Sequence, residues 1–257
     1  MPGSAASAVE GVATHSRRLA GMNEQLIYPP EIVIVPGGWF FMGSEQGPEN
    51  EQPRHRVWVD SFGIGKYPVI NREYGEFLAS SRSAPPPFWR DPIFSDPEQP
   101  VVAVSWDEPT CYCRWLSEKS GQKFRLPTEA EWERAARGGL DGAAYPWGDE
   151  PPREKSFAGV NDQTGGPLRA GVNGPNGFGL YDMSEGVHEW CSDYYNYNYY
   201  RYSPERNPGG PEAGRRRSSR GGSWRHRVPF SRCAARSSLP PGFQYADYGF
   251  RVAQTIE

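Results

Sequence analysis

Four cysteines, four histidines, a helical run of glutamates and an arginine-rich C-terminal stretch are the parts of this 257-residue chain that could do chemistry. Cys111, Cys113, Cys191 and Cys233 form no CxxC pair and no second pair at zinc-finger spacing, so no zinc framework is indicated. Cys111 and Cys113 point apart on a helix, and the thiols read as free, reduced and mostly buried as small apolar groups. Glu129, Glu131 and Glu133 alternate along a helix and point in different directions, which is wrong for a catalytic acid set. No serine-hydrolase elbow, P-loop, Rossmann glycine fingerprint or HExxH is present, so hydrolase and nucleotide-binding readings have no support.

The formal net charge is −3, which gives no electrostatic reason to expect nucleic acid or an anionic membrane as partner. That balance hides an asymmetry: from Glu212 onward nine arginines face three acidic residues. Arg215 to Arg217, between Gly214 and Ser218–Ser219, read as an exposed turn. With no apolar run long enough for a membrane span and no secretory signal in the first 25 residues, the expected location is the cytoplasm.

Elements able to position these residues are short. Thirty glycines and 26 prolines punctuate the chain, while 14% aromatic content supplies enough apolar surface for a folded core. Residues 1–26 are small, polar and aperiodic and read as a flexible tail, leaving 27–257 as one domain. Strands are expected at Glu31–Val35, Trp39–Met42 and His55–Val59, with a solvated acidic loop at Glu45–Gln52 between the last two. One helix is expected from an Asn71 N-cap to Ser80. A second covers 107–120, with Asp107 as N-cap and Gly121 as its stop. A third begins at Thr128, where Thr128 and Glu131 form a capping box, and ends at Gly138–Gly139. Beyond it, Gly, Pro and Asn leave room for short strands only.

The ordered strings PGGWFFMGS (36–44), RLPTEAEWERAARGG (125–139), YPWGDE (145–150), PNGFGLYDM (175–183), VHEW (187–190), RGGSW (220–224), RCAARS (232–237) and GFRVA (249–253) resemble the formylglycine-generating enzyme, or sulfatase-modifying factor, family over about residues 30–255. The resemblance implies an α+β fold with little regular secondary structure and a C-type-lectin-like core. It also implies oxidation of a peptide cysteine by dioxygen and a copper ion held by two cysteines. His226 stands at the first of those positions and Val228 opposite the second, so the standard reaction is not expected. Cys113 and Cys233 match single halves of family disulfides whose partners fall on Val252 and Ala136, in keeping with reduced thiols.

The resemblance also implies a calcium site from a side-chain oxygen of Asp182, the carbonyls of Glu185 and Val187, and the Glu189 carboxylate, a hard-oxygen set suited to that ion. A second family calcium site would fall near Ala158–Asp162, where the match is poor. His188 replaces a tryptophan lining the family's oxygen pocket. Together with His226, and with Asp247 or Cys191, it could hold iron(II) or copper. Ser223 and Arg236 match groove residues, Gln244 and Asp247 match its polar wall, and Arg225, Arg227 and Arg236 could grip an anion. Two functions are expected. One is a non-canonical oxidoreductase acting on a thiol or peptide through His226, His188 and Ser223, with Arg225, Arg236, Gln244 and Asp247 binding substrate. The other is a non-catalytic, calcium-stabilised lectin-like module recognising an anionic small molecule or peptide.

Overall fold

The computed structural model describes residues 29–151, 165–226 and 228–256. Their order is β1 (Ile32–Val35), β2 (Gly38–Met42), β3 (His55–Val59), β4 (Phe62–Gly65), α1 (Asn71–Ser81), α2 (Asp107–Ser120), β5 (Phe124–Arg125), α3 (Glu129–Arg137), β6 (His188–Tyr194), β7 (Arg217–Arg220), β8 (Ser237–Leu239), β9 (Tyr248–Gly249) and β10 (Ala253–Thr255). The expected flexible tail and the second calcium site lie outside the described residues, as does Arg227.

Three sheets result among the described residues. β1, β4, β10 and β5 form one in that order, with C-terminal β10 inserted antiparallel between β4 and β5. β2 and β3 form a two-stranded ribbon in the register Trp39↔Trp58. The third, in the order β8-β7-β6-β9, is antiparallel except for the β6–β9 pair, which runs parallel with His188 opposite Tyr248. No helix among the described residues is long and apolar enough to cross a membrane.

The capping signals act locally, with two corrections. Thr128 Oγ1 accepts the Glu131 N–H at 3.1 Å and Glu131 accepts the Thr128 N–H at 2.8 Å; Gly138 closes α3 in the left-handed region. α1, however, is preceded by Ile70, whose N–H is taken by Glu73 (3.1 Å). Asn71 is buried one residue later and bonds the carbonyls of Phe94 and Asp96, tying the proline-rich loop down. At α2, Asp107 is already helical; Glu108 reaches back to the N–H and hydroxyl of Ser105, both at 2.7 Å. In both places the helix begins one residue earlier than a side-chain cap at Asn71 or Asp107 requires, because a first-turn glutamate serves the orphan donors instead.

One apolar cluster packs Trp132, Ala135 and Ala136 of α3 against Phe40, Met42, Val57 and Val59 of the ribbon. Another joins Tyr74 and Phe77 of α1 to Tyr112, Trp115 and Leu116 of α2, with Trp190 and Phe250. The loop expected to be wholly solvated contains Glu51, which is buried and gripped by both Arg232 Nη atoms at 2.7 Å. Arg217 is likewise no exposed turn residue. It opens β7 with its guanidinium 3.6 Å from the Trp106 ring centre and 3.5 Å from that of Tyr194.

Candidate functional site

The third sheet assembles the site. Parallel pairing of β6 with β9 places His188 beside Asp247, and the His188 N–H donates to the Asp247 carbonyl at 2.8 Å. β7 then runs into Gly221–Gly222, both at positive φ. A Cβ on Gly222 would lie 2.5 Å from Ser231 Oγ and 2.9 Å from the Phe230 carbonyl, so only glycine lets this turn close against the 228–231 turn. The closure presents Ser223 and His226, with the His226 N–H donating to the Ser223 carbonyl at 2.9 Å.

His188 Nε2 lies 3.0 Å from His226 Nδ1, and the rings meet edge to face with centres 4.8 Å apart. His226 Nε2 is 3.7 Å from Asp247 Oδ2. That oxygen accepts the Ser223 hydroxyl at 3.0 Å, while Oδ1 accepts Arg225 Nη2 at 2.6 Å. One ligand atom from each of His188, His226 and Asp247 lies within 4.8 Å of the others. Tyr248 packs on His188, and Phe230 on His226, with ring centres 4.7 and 5.7 Å apart. His188 Nδ1 is buried without a hydrogen-bond partner among the described residues.

Burial pushes the His188 pKa down to about 3 against the pull of Asp247, with His226 and Arg225 adding to the depression, so His188 is the neutral imidazole. Asp247 behaves oppositely. Burial works to raise it, but the Arg225 hydrogen bond and charge, with the Ser223 hydroxyl, hold it below the usual carboxylate range. Two imidazoles and an ionised carboxylate fit iron(II) or copper. The two-thiolate copper site does not fit. Cys191 and Cys233 are fully buried with their pKa pushed up by desolvation, to about 12 for Cys233, and Cys191 lies outside the cluster, facing the Glu189 carbonyl. All four cysteines are free.

His188 and His226 line a cleft of about 1070 Å³, together with Phe230, Arg232, Arg236 and residues of the 43–54 loop. Arg236 is on its wall but is not available as a substrate contact. Its Nε and Nη2 clasp Glu129 at 2.7 and 2.9 Å, and Nη1 is bonded to the Asn50 carbonyl at 2.7 Å. Gln244 donates to Glu108 at 2.9 Å and does not line the cleft. Arg225 serves Asp247 and remains half-exposed.

The calcium set is brought together only in part. Asp182 and Glu185 line a second pocket of about 330 Å³. Burial, reinforced by Asp182, lifts the Glu185 pKa to about 8. Glu189 departs from expectation: both oxygens are held by Arg251 (2.7 and 2.8 Å), and Oε2 also accepts Trp132 Nε1 at 2.6 Å. Arg251 further binds the carbonyl of Tyr181 at 2.8 Å, so an internal cation already neutralises Glu189. Sequence reasoning overlooked Tyr248, Phe230 and the Glu51–Arg232 pair; the first two adjoin singled-out motifs, whereas the last joins residues 181 apart and left no local signal.

Comparison with known proteins agrees with this architecture. Residues 17–256 match the sulfatase-modifying factor enzyme 1-like domain. The chain is 33% identical over 317 aligned residues to the formylglycine-generating enzyme of Streptomyces coelicolor, covering 100% of this chain and 96% of that one. It is 36% identical over 245 residues to the serine/threonine-protein kinase pkn1 of Chlamydia pneumoniae, covering 88% of this chain but only 38% of that relative's length. Among solved structures, PvdO from Pseudomonas aeruginosa superposes with a TM-score of 0.77 at 29% identity, covering 88% of this chain and 95% of PvdO. With its α+β architecture and C-type-lectin-like core, the chain belongs to the formylglycine-generating enzyme, or sulfatase-modifying factor, family.

Proposed function

We propose that this protein is a metal-dependent oxidoreductase of its family that acts on a thiol or peptide substrate without the cysteine pair. The observation that carries this reading is the meeting of His188, His226 and Asp247 donors within 4.8 Å, with both histidines lining a large cleft. Iron(II) or copper bound there would supply the redox couple and open positions for dioxygen. The protein's own contribution is positional. Arg225 and Ser223 hold Asp247 ionised and aimed, burial keeps His188 neutral, and Phe230 packs against the His226 ring. Free, largely buried thiols suit a reducing cytoplasm.

A second reading is the calcium-stabilised binding module, favoured by Asp182 and Glu185 sharing one pocket. Elemental mass spectrometry of untagged protein purified without chelator separates the two, alongside His188→Ala and His226→Ala. Near-stoichiometric iron or copper lost in both variants, with thiol-dependent oxygen consumption, is expected. Calcium alone, unchanged in both, overturns the oxidoreductase in favour of the module.

A further inference from the structure

The outer face of the β2–β3 ribbon carries a ladder of rings and guanidinium groups, of which only Arg54 borders the cleft that His188 and His226 line. Trp39 and Trp58 pair across the strands edge to face, 5.5 Å apart. Arg56 lies 4.1 Å from the Trp39 ring centre, Arg54 4.8 Å from that of Phe41, and Arg206 5.3 Å from that of Trp58. Trp39 and Phe41 remain 43% and 39% exposed, although such rings would ordinarily be covered.

The three arginines are not equivalent. Arg206 is paired with Asp60 at 2.5 Å. The exposed guanidinium groups of Arg54 and Arg56 meet only aromatic rings, with no carboxylate partner among the described residues. Two neighbouring carboxylates each take a backbone donor: Glu45 the Arg54 N–H at 3.1 Å and Asp141 the Phe41 N–H at 2.9 Å. Stacking holds each planar fork in place, which reduces the entropy lost when a carboxylate binds. Arg54 also lines the cleft, where Arg137, Arg220, Arg232 and Arg236 are all matched by internal glutamates.

We propose that this face docks an extended acidic peptide segment whose alternate carboxylates pair with Arg54 and Arg56. Residues two apart along an extended strand are about 7 Å apart, the spacing of same-face side chains in a bound peptide. A nucleic-acid strand fits less well. Its unbroken run of phosphates would pass the flanking Asp60, Asp141 and Glu45 carboxylates, whereas two placed carboxylates need not. The inference stands apart from the oxidoreductase reading.

The test is fluorescence anisotropy with labelled nine-residue peptides of equal composition, glutamates either alternating with threonine or in one block, and with single-stranded oligouridylate. It is run on metal-free protein and on His226→Ala. Alternating peptide is expected to bind about fivefold more tightly than the block form and to weaken about tenfold in Arg54→Glu/Arg56→Glu, with partial retention in the double lysine variant. Binding should be unchanged in His226→Ala, so it survives even if the histidine centre holds no metal. No binding of either peptide, equal affinity for both, no loss in the double glutamate variant, or a preference for oligouridylate overturns the proposal.

Discussion

Two buried polar clusters meet the third sheet, one through Ser218 and Arg220 and the other through His188, and they differ in how their charges are matched. Around α3, every carboxylate oxygen of Glu129, Glu131 and Glu133 has a donor: Arg236, Arg220 and Ser218 on Glu129, Arg125 and the Thr128 N–H on Glu131, Arg137, Arg220 and the Gly43 N–H on Glu133. Burial works to raise Glu129, yet Arg236 and Arg220 pull its pKa below the ordinary value. At the histidine centre, in contrast, a buried ring nitrogen has no partner and the half-exposed His226 faces a cleft. The carboxylates around α3 are matched and hold the fold, although Arg220 Nε among them also lacks a partner; the centre is set apart by two imidazoles and a carboxylate meeting beside a cleft.

Breaking the matched cluster should have the largest effect. Arg220→Ala leaves Glu133 and Glu129 short of a buried partner and is expected to cost about 3–5 kcal/mol in urea denaturation; a loss under about 1 kcal/mol would show that the cluster is not structural. Acid comes next. Folded His188 resists the proton that the unfolded chain takes up near pH 6.5, so stability present above 6.5 falls as pH drops toward about 3, by up to about 1.4 kcal/mol per unit. His188→Gln should flatten that limb in pH-dependent denaturation. Glu185 acts with the opposite sign: its raised pKa favours the fold below 4.5 and loses that contribution as pH rises through about 8, a limb that Glu185→Gln should remove. Thr128→Ala should cost about 1 kcal/mol through the lost cap, read as a lower denaturation midpoint. His226→Ala should change stability by less than about 0.5 kcal/mol yet abolish iron or copper retention, separating the prepared site from the matched one.

Short-range features were legible before the fold was known. The Thr128–Glu131 box, the Gly121 and Gly138 stops and the strands around Ile32–Val35, Trp39–Met42 and His55–Val59 depend on neighbours within a few positions. Asn71 and Asp107 carried a cap signal, but Glu73 and Glu108 fill that role, and Asn71 is spent on a loop more than twenty residues away. Arg236, read as a substrate contact, is consumed by Glu129 across 107 positions, and Glu189 by Arg251 across 62. A guanidinium group reads the same in sequence whether it is free or clasped.

By itself the sequence determined the family and the loop-rich α+β character, because these follow from residue identity and local spacing. Only the tertiary structure decided that His188, His226 and Asp247 meet while Cys191 does not. It also decided that Arg236 and Glu189 are spent internally and Arg54 and Arg56 are not. The reason is physical: whether a polar group is available depends on which partner the chain folds against it, and that pairing is set by burial and geometry over long separations.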